Sequence, residues 1–315
     1  MPAGQTRQTD PALHEDHTAS RCFCPEKPYW PLYTEGTVLL ENIIMREGSS
    51  SMSLKNAETV VLKIGTSSLT YENGRINLRK MSRLVKVAAD IANSGRKVVL
   101  VSSGSVGVGA GKLGIPTPGT IKVKQAAAAV GQCELMFMYD KMFSEYSHTV
   151  AQVLLTRTII EKEDRMQNVI NTFHMLTDMG VIPIVNENDT VAVDELEFGD
   201  NDTLSAIVSV LVQADALIIL TDIDGLYDSD PRKSPDAKLI PEVDAITPEI
   251  EALAGGSGSS RGTGGMVTKL SAAKIATGAG VEMAIIRGDA PELIYDLLEG
   301  KSVGTVFHAK GADET

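Results

Sequence analysis

From Thr59 onward, short apolar runs alternate with stretches whose apolar positions recur at helical spacing. TVVLKI (59–64), KVVLVS (97–102), TVAQVLL (149–155), VIPIVN (181–186), ALIILT (216–221), VEMAII (281–286) and GTVF (304–307) are nearly continuous in hydrophobicity. Runs of this kind predict strands covered on both faces rather than half-wet ones. Between them Leu78, Met81, Leu84, Val85, Ala88 and Ile91 fall on one helical face and stop at Gly95, a C-terminal cap. IKVKQAAAAVGQCELMFMYDKMF (121–143) predicts one long or broken helix, and 168–180, 203–214 and PELIYDLLEG (291–300) predict further ones. A shorter helix restarts after Thr247 with Pro248 at its first position. GTSS (65–68) and the glycine-rich SGSVGVGAG (103–111) read as turns, and DSDPRKSPDAK (228–238) interrupts the alternation. Strands regularly separated by helices predict an α/β domain with a largely parallel central sheet.

The polar motifs fall at telling places. GTSS, SGS, NEND (186–189) and TDIDG (221–225) each sit just past the C-terminal end of a strand, where open parallel sheets bind ligands. Lys63 lies inside an apolar strand and beside Gly65, where a backbone can approach a ligand. It needs an anionic partner, or else that face of the strand is wet. RGTGGMVTKLSAAK (261–274) runs from a glycine-rich loop into a helix, and the loop plus a helix N-terminus suits phosphate. It lacks the spacing of a Walker A loop, and Lys269 taken alone is equally a solvated surface lysine. GDND (199–202) supplies two carboxylates ahead of a helix, although one cap is all that helix needs. Two lysines from distant parts of the chain can bracket a transferring phosphoryl group, a reaction that asks mainly for positioning and charge stabilisation.

Composition narrows the partners. Twenty-nine basic and 41 acidic residues give a formal charge of −12 over 315 residues, with no long basic block. A nucleic-acid surface is therefore not expected, and an anionic substrate must be held by a few local cations. Three cysteines (Cys22, Cys24 and Cys133) are too few for a disulfide scaffold and fit a reducing, cytoplasmic compartment. No apolar run approaches a membrane span, and the polar start resembles neither a secretory signal nor a transit peptide. Residues 1–57 are polar and without sustained periodicity, which predicts a poorly ordered N-terminal extension, with an alternative translation start at Met52. His14, His17, Cys22 and Cys24 do not match ordinary zinc spacing, and no metal site is expected there.

Taken in order, VVLKIGTSS, VLVSSGSVGVGAG, IPIVNENDTVA, FGDNDTLSA, LTDIDGLYDSDP and GTGGMVTKLSAA resemble the motifs of the amino-acid kinase family, in particular its glutamate-phosphorylating branch. The resemblance implies a three-layer αβα sandwich over 58–308, followed by a tail at 309–315. It implies transfer of phosphate from ATP, with Mg²⁺, to the γ-carboxylate of L-glutamate for proline synthesis. By motif, Lys63 and Lys269 would stabilise the transferring group and Asp202 would orient them. Ser103, Gly104, Asp189 and Asn201 would hold glutamate. Lys63, Gly65, Thr221, Asp222 and the loop Thr263, Gly264, Gly265, Met266, Val267, Thr268 and Lys269 would bind ATP. No protein metal ligand is implied, because Mg²⁺ would arrive on ATP phosphates and through water. Feedback inhibition by proline around 168–189 and homo-oligomerisation are further expectations. The resemblance takes in neither the C-terminal RNA-binding-like domain nor the reductase fusion seen in some members. Its rivals are kinases of acetylglutamate, aspartate or nucleoside monophosphates and, from another class, a silent amino-acid sensor; both lysines with Asp202 argue against the sensor.

Overall fold

The computed structural model describes residues 53–116, 118–157, 162–191, 200–254 and 265–309. The expectations for most of 1–57 (Met52, His14, His17, Cys22 and Cys24 included), for Thr263 and Gly264, and for 310–315 lie outside the described residues.

Seven strands predicted by their apolar runs are present: β1 (Thr59–Ile64), β2 (Lys97–Ser102), β3 (Val150–Leu155), β4 (Ile182–Glu187), β5 (Ala216–Thr221), β9 (Glu282–Arg287) and β10 (Thr305–Phe307). Three two-residue strands also form: β6 (Leu226–Tyr227), β7 (Leu239–Ile240) and β8 (Glu242–Val243). The main sheet runs β3-β4-β2-β1-β5-β9-β10-β8. It is parallel through β9, where β10 pairs antiparallel and carries β8 at the edge. β6 and β7 form a separate antiparallel hairpin around the turn-rich 228–238 segment.

Helices cover both faces. In chain order they are α1 (Thr66–Leu69), α2 (Leu78–Asn93), α3 (Ser105–Leu113), α4 (Ile121–Ser144), α5 (Glu163–Asp178), α6 (Asn201–Leu211), α7 (Pro248–Ala254), α8 (Met266–Gly278) and α9 (Leu293–Leu298). The strand period of two divides the core. Val60, Leu62 and Ile64 pack with Met81 and Leu84 of α2, Tyr139 and Phe143 of α4, and Ile294 of α9. Val61 packs on the other side with Leu204 of α6 and Leu270 of α8. Helix, sheet and helix make the three layers that the resemblance implied.

Two readings are corrected. GTSS contributes residues to a short helix, α1, and SGSVGVGAG is largely the nine-residue helix α3. Three glycines in nine residues argue against a helix by propensity, but α3 presses so closely on α4 that larger residues do not fit. A Cβ on Gly109 would lie 1.8 Å from the Ala127 carbonyl oxygen, and one on Gly131 would lie 1.8 Å from that of Ser105. Residues 53–57 also belong to the fold: Leu54–Asn56 forms a 3-10 turn, and Leu54 and Ala57 are buried.

Candidate active site

The parity that sends Val61 toward α6 and α8 sends Lys63 the same way, at the C-terminal end of the central strand. There it meets Asp202 in the first turn of α6, which is fully buried. The Lys63 ammonium lies 2.5 Å from Asp202 Oδ1, and Lys269 Nζ donates to Oδ2 at 3.1 Å. The Thr268 hydroxyl sits 2.9 Å from the same Oδ2 and 2.8 Å from the Gly265 carbonyl oxygen, and its one hydrogen serves either. Oδ1 faces the Lys63 ammonium in a short charge pair. Burial alone would push the Asp202 carboxyl up; the two ammonium groups outweigh it and hold the pKa below the usual carboxylate value. Both lysines are themselves buried, at 7% and 4% exposure, which settles their alternatives as surface residues. A buried carboxylate shared by two buried ammoniums leaves one net positive charge beside a cleft.

A second group of polar residues lies beside this triad. Asp200 caps α6, accepting from Thr203 N at 2.8 Å. Asn201 Nδ2 lies 2.8 Å from Ser103 Oγ, 3.0 Å from Asn186 Oδ1 and 3.2 Å from the Ser102 carbonyl oxygen, its two hydrogens shared among these three acceptors. Ser105 donates to Asp189 Oδ2 at 2.6 Å. Gly104 has φ +100°, a left-handed conformation that favours glycine, and it lets the chain turn from β2 straight into α3. Ser103, Gly104, Asp189 and Asn201 are thus assembled at the ends of β2 and β4.

On the other side of the triad a cleft of about 570 Å³, open to solvent, is lined by Asp222, Tyr227, Arg232, Gly265, Met266 and Lys269 among others. Thr221 is buried and donates to Asp222 Oδ1 at 3.1 Å, and Arg232 stands 3.9 Å from Asp222. Gly65 ties the end of β1 to the Leu220 carbonyl, and a Cβ there would meet nothing closer than 3.4 Å. Its glycine therefore clears space in front of Lys63 rather than relieving crowding inside the protein. Val267 of the loop motif is 55% exposed.

The profile of the amino acid kinase family matches residues 58–287. The chain belongs to the amino acid kinase family. Among its kinase relatives, the glutamate 5-kinase of Clostridium perfringens is 59% identical over 263 residues, covering 82% of this chain and 98% of the relative. That of Listeria innocua is 54% identical with 82% and 95% covered. Solved kinases share the fold at lower identity. Carbamate kinase from Giardia lamblia bound to AMP-PNP superposes with TM-score 0.58 at 19% identity, over 81% of this chain and 100% of that one. Isopentenyl phosphate kinase from T. acidophilum gives 0.56 at 21% identity, over 79% and 99%.

Sequence reasoning left several residues of this amino acid kinase site unassigned. Asn186 stood in the NEND motif and Asp200 in GDND without roles of their own. Ser105 and Gln132 had no signal beyond a lone hydroxyl and a lone amide in small-residue segments. Arg232 was hidden in a turn-rich stretch.

Proposed function

We propose that this kinase transfers the γ-phosphoryl group of ATP to the γ-carboxylate of L-glutamate, giving L-glutamyl 5-phosphate and ADP at the first step of proline biosynthesis. Glutamate 5-kinases at 52–59% identity support the substrate. The observation that carries the chemistry is the buried Lys63–Asp202–Lys269 triad, with an open cleft on one side and the Ser103, Asp189 and Asn201 side chains beside it.

A carboxylate is ionised at neutral pH and is already a nucleophile, so the step needs no general base. Its oxygen forms the new bond to the γ-phosphorus while the bond to the β,γ-bridging oxygen breaks and the electron pair leaves with ADP. Lys63 and Lys269 neutralise charge on the transferring group, and Asp202 keeps the two ammoniums, which would otherwise repel, at fixed positions. Ser103, Asp189 and Asn201 hold the amino acid; Thr221, Asp222 and the start of α8 hold the nucleotide. Among the described residues no cluster of three carboxylate, histidine or cysteine side chains could cage a metal. Mg²⁺ would enter on the ATP phosphates, where it would neutralise phosphate charge. Among the described residues no helix is long and apolar enough to cross a membrane. We further assign a cytoplasmic location, a homo-oligomeric state and inhibition by proline at the amino-acid cleft. Glutamate saturation curves unmoved by millimolar proline would remove that last assignment.

The test is ATP-dependent formation of γ-glutamyl hydroxamate from glutamate and hydroxylamine, with aspartate and N-acetylglutamate as competing substrates. Product from glutamate alone, lost in Lys269→Ala, is expected. Product from a competitor instead, or undiminished product in the variant, overturns the assignment.

A further inference from the structure

Behind the amino-acid site lies a chain of amides whose direction is set at one end, by a backbone carbonyl. The Ser102 carbonyl can only accept, and it takes a hydrogen from Asn201 Nδ2. With its nitrogen turned that way, Asn201 also donates to Asn186 Oδ1 at 3.0 Å, which turns the Asn186 nitrogen toward α4. There Asn186 Nδ2 donates to Gln132 Oε1 at 3.0 Å, between side chains that are 2% and 8% exposed. Gln132 follows Gly131, the residue at which α3 and α4 cross without room for a Cβ, so the crossing that packs α3 also brings the Gln132 amide to the end of β4. One turn pair further along the same helix, Tyr139 shares a 2.9 Å hydrogen bond with Ser102, so α4 holds both strand ends.

The direction of this chain has a chemical consequence at its exposed end. Ser103 Oγ shares one of the two Asn201 hydrogens and faces a nitrogen that cannot accept, and among the described residues its own hydrogen has no acceptor. A hydroxyl that already accepts is left as a donor, the partner a substrate carboxylate requires. Asn201 spends its nitrogen on the protein, so its carbonyl oxygen is what remains for a donor such as an ammonium. We propose that Gln132 is a positioning residue for substrate: acting through Asn186, it fixes the Asn201 amide and thereby the donor and acceptor sense of the cleft that receives the amino acid. The proposal rests on the glutamate reading above for the identity of the ligand, but not for the amide chain itself.

The experiment compares Gln132→Met, which keeps volume and removes the acceptor, with Gln132→Glu, which keeps an acceptor at the same reach. In Gln132→Met the KM for glutamate is expected to rise about fivefold, the equivalent of one net hydrogen bond, with kcat and the KM for ATP held. Gln132→Glu should recover most of that rise. An unchanged glutamate KM in Gln132→Met overturns the proposal. So do equal losses in both variants accompanied by lower kcat and poorer ATP binding, which mark a merely structural role. A second readout is independent of turnover: the side-chain amide hydrogens of Asn186 and Asn201 should exchange slowly in the ligand-free wild type and fast in Gln132→Met. Exchange that is the same in both overturns the proposal. Wild-type inactivity toward glutamate would sink the substrate reading alone, and the amide exchange would still decide the role of Gln132.

Discussion

Asp200 and Asp202 stand two residues apart at the start of α6 and respond to pH in opposite senses. Asp202 is held below its ordinary pKa by the lysines despite burial. Its folded-state value is therefore lower than the unfolded one, so its stabilisation is full above about pH 4 and is lost as pH falls through the folded value. Asp200 is raised, first by burial and then by the neighbouring Asp202 charge, against its hydrogen bond from Thr203. It penalises the fold at neutral pH, and the penalty disappears as pH falls toward the unfolded value. Asp202→Asn should cost about 3 kcal/mol at neutral pH by leaving two buried ammoniums without a counter-charge, and it should lower kcat by about a hundredfold or more. Urea unfolding and the hydroxamate assay check the two parts. Asp200→Asn keeps the cap and should raise the melting temperature at pH 7, the gain closing toward about pH 4; a gain that persists in acid would contradict the assigned cause. Ser105→Ala should raise the KM for glutamate about fivefold by removing one hydrogen bond that orients the Asp189 carboxylate, measured against an unchanged KM for ATP.

At the scale of elements, strands were legible and the small-residue helix was not. Apart from the half-buried edge strand β3, each long strand is an apolar run because it is covered on both faces, and that coverage needs nothing but local composition to be read. Lys63 was legible for the same reason, since an ammonium in such a run has to be answered by an acid. Helix α3 was read as a turn because Gly107, Gly109 and Gly111 are poor helix formers; its cause is a partner, Gly131, that is distant in sequence and adjacent in space. The Gln132 relay was invisible for a related reason. An isolated amide in an alanine-rich helix carries no local sign that it faces the end of a strand. Gly131→Ala should destabilise the protein by about 2 kcal/mol or more through overpacking at the crossing. Because it pushes on the carbonyl of Ser105, it should weaken glutamate binding beyond what stability explains; equilibrium unfolding alongside glutamate KM is the check.

For the whole molecule, the two hydrophobic cores on either face of one sheet share β1, the strand that carries Lys63. A ligand at the triad therefore braces both layers. Mg·ATP at about a hundred times its Kd should add about 2.7 kcal/mol of stability, roughly 5 °C in melting temperature for a fold of this size. Lys269→Ala should abolish most of that shift in a thermal scan. The net charge of −12 makes the local cations more consequential, since nothing in the overall field draws an anion in.

The triad also ties the earliest strand of the domain to one of its last helices. Lys63 is made with β1, Asp202 with α6 and Lys269 only with α8. During synthesis the growing chain first presents Lys63 without an acid, then Lys63 with Asp202 but without the second ammonium. Nearly the entire domain must leave the ribosome before the triad is complete. Competence to move phosphate is thus acquired late and in a single step, so a chain that stops short of α8 has no partial version of the reaction to perform.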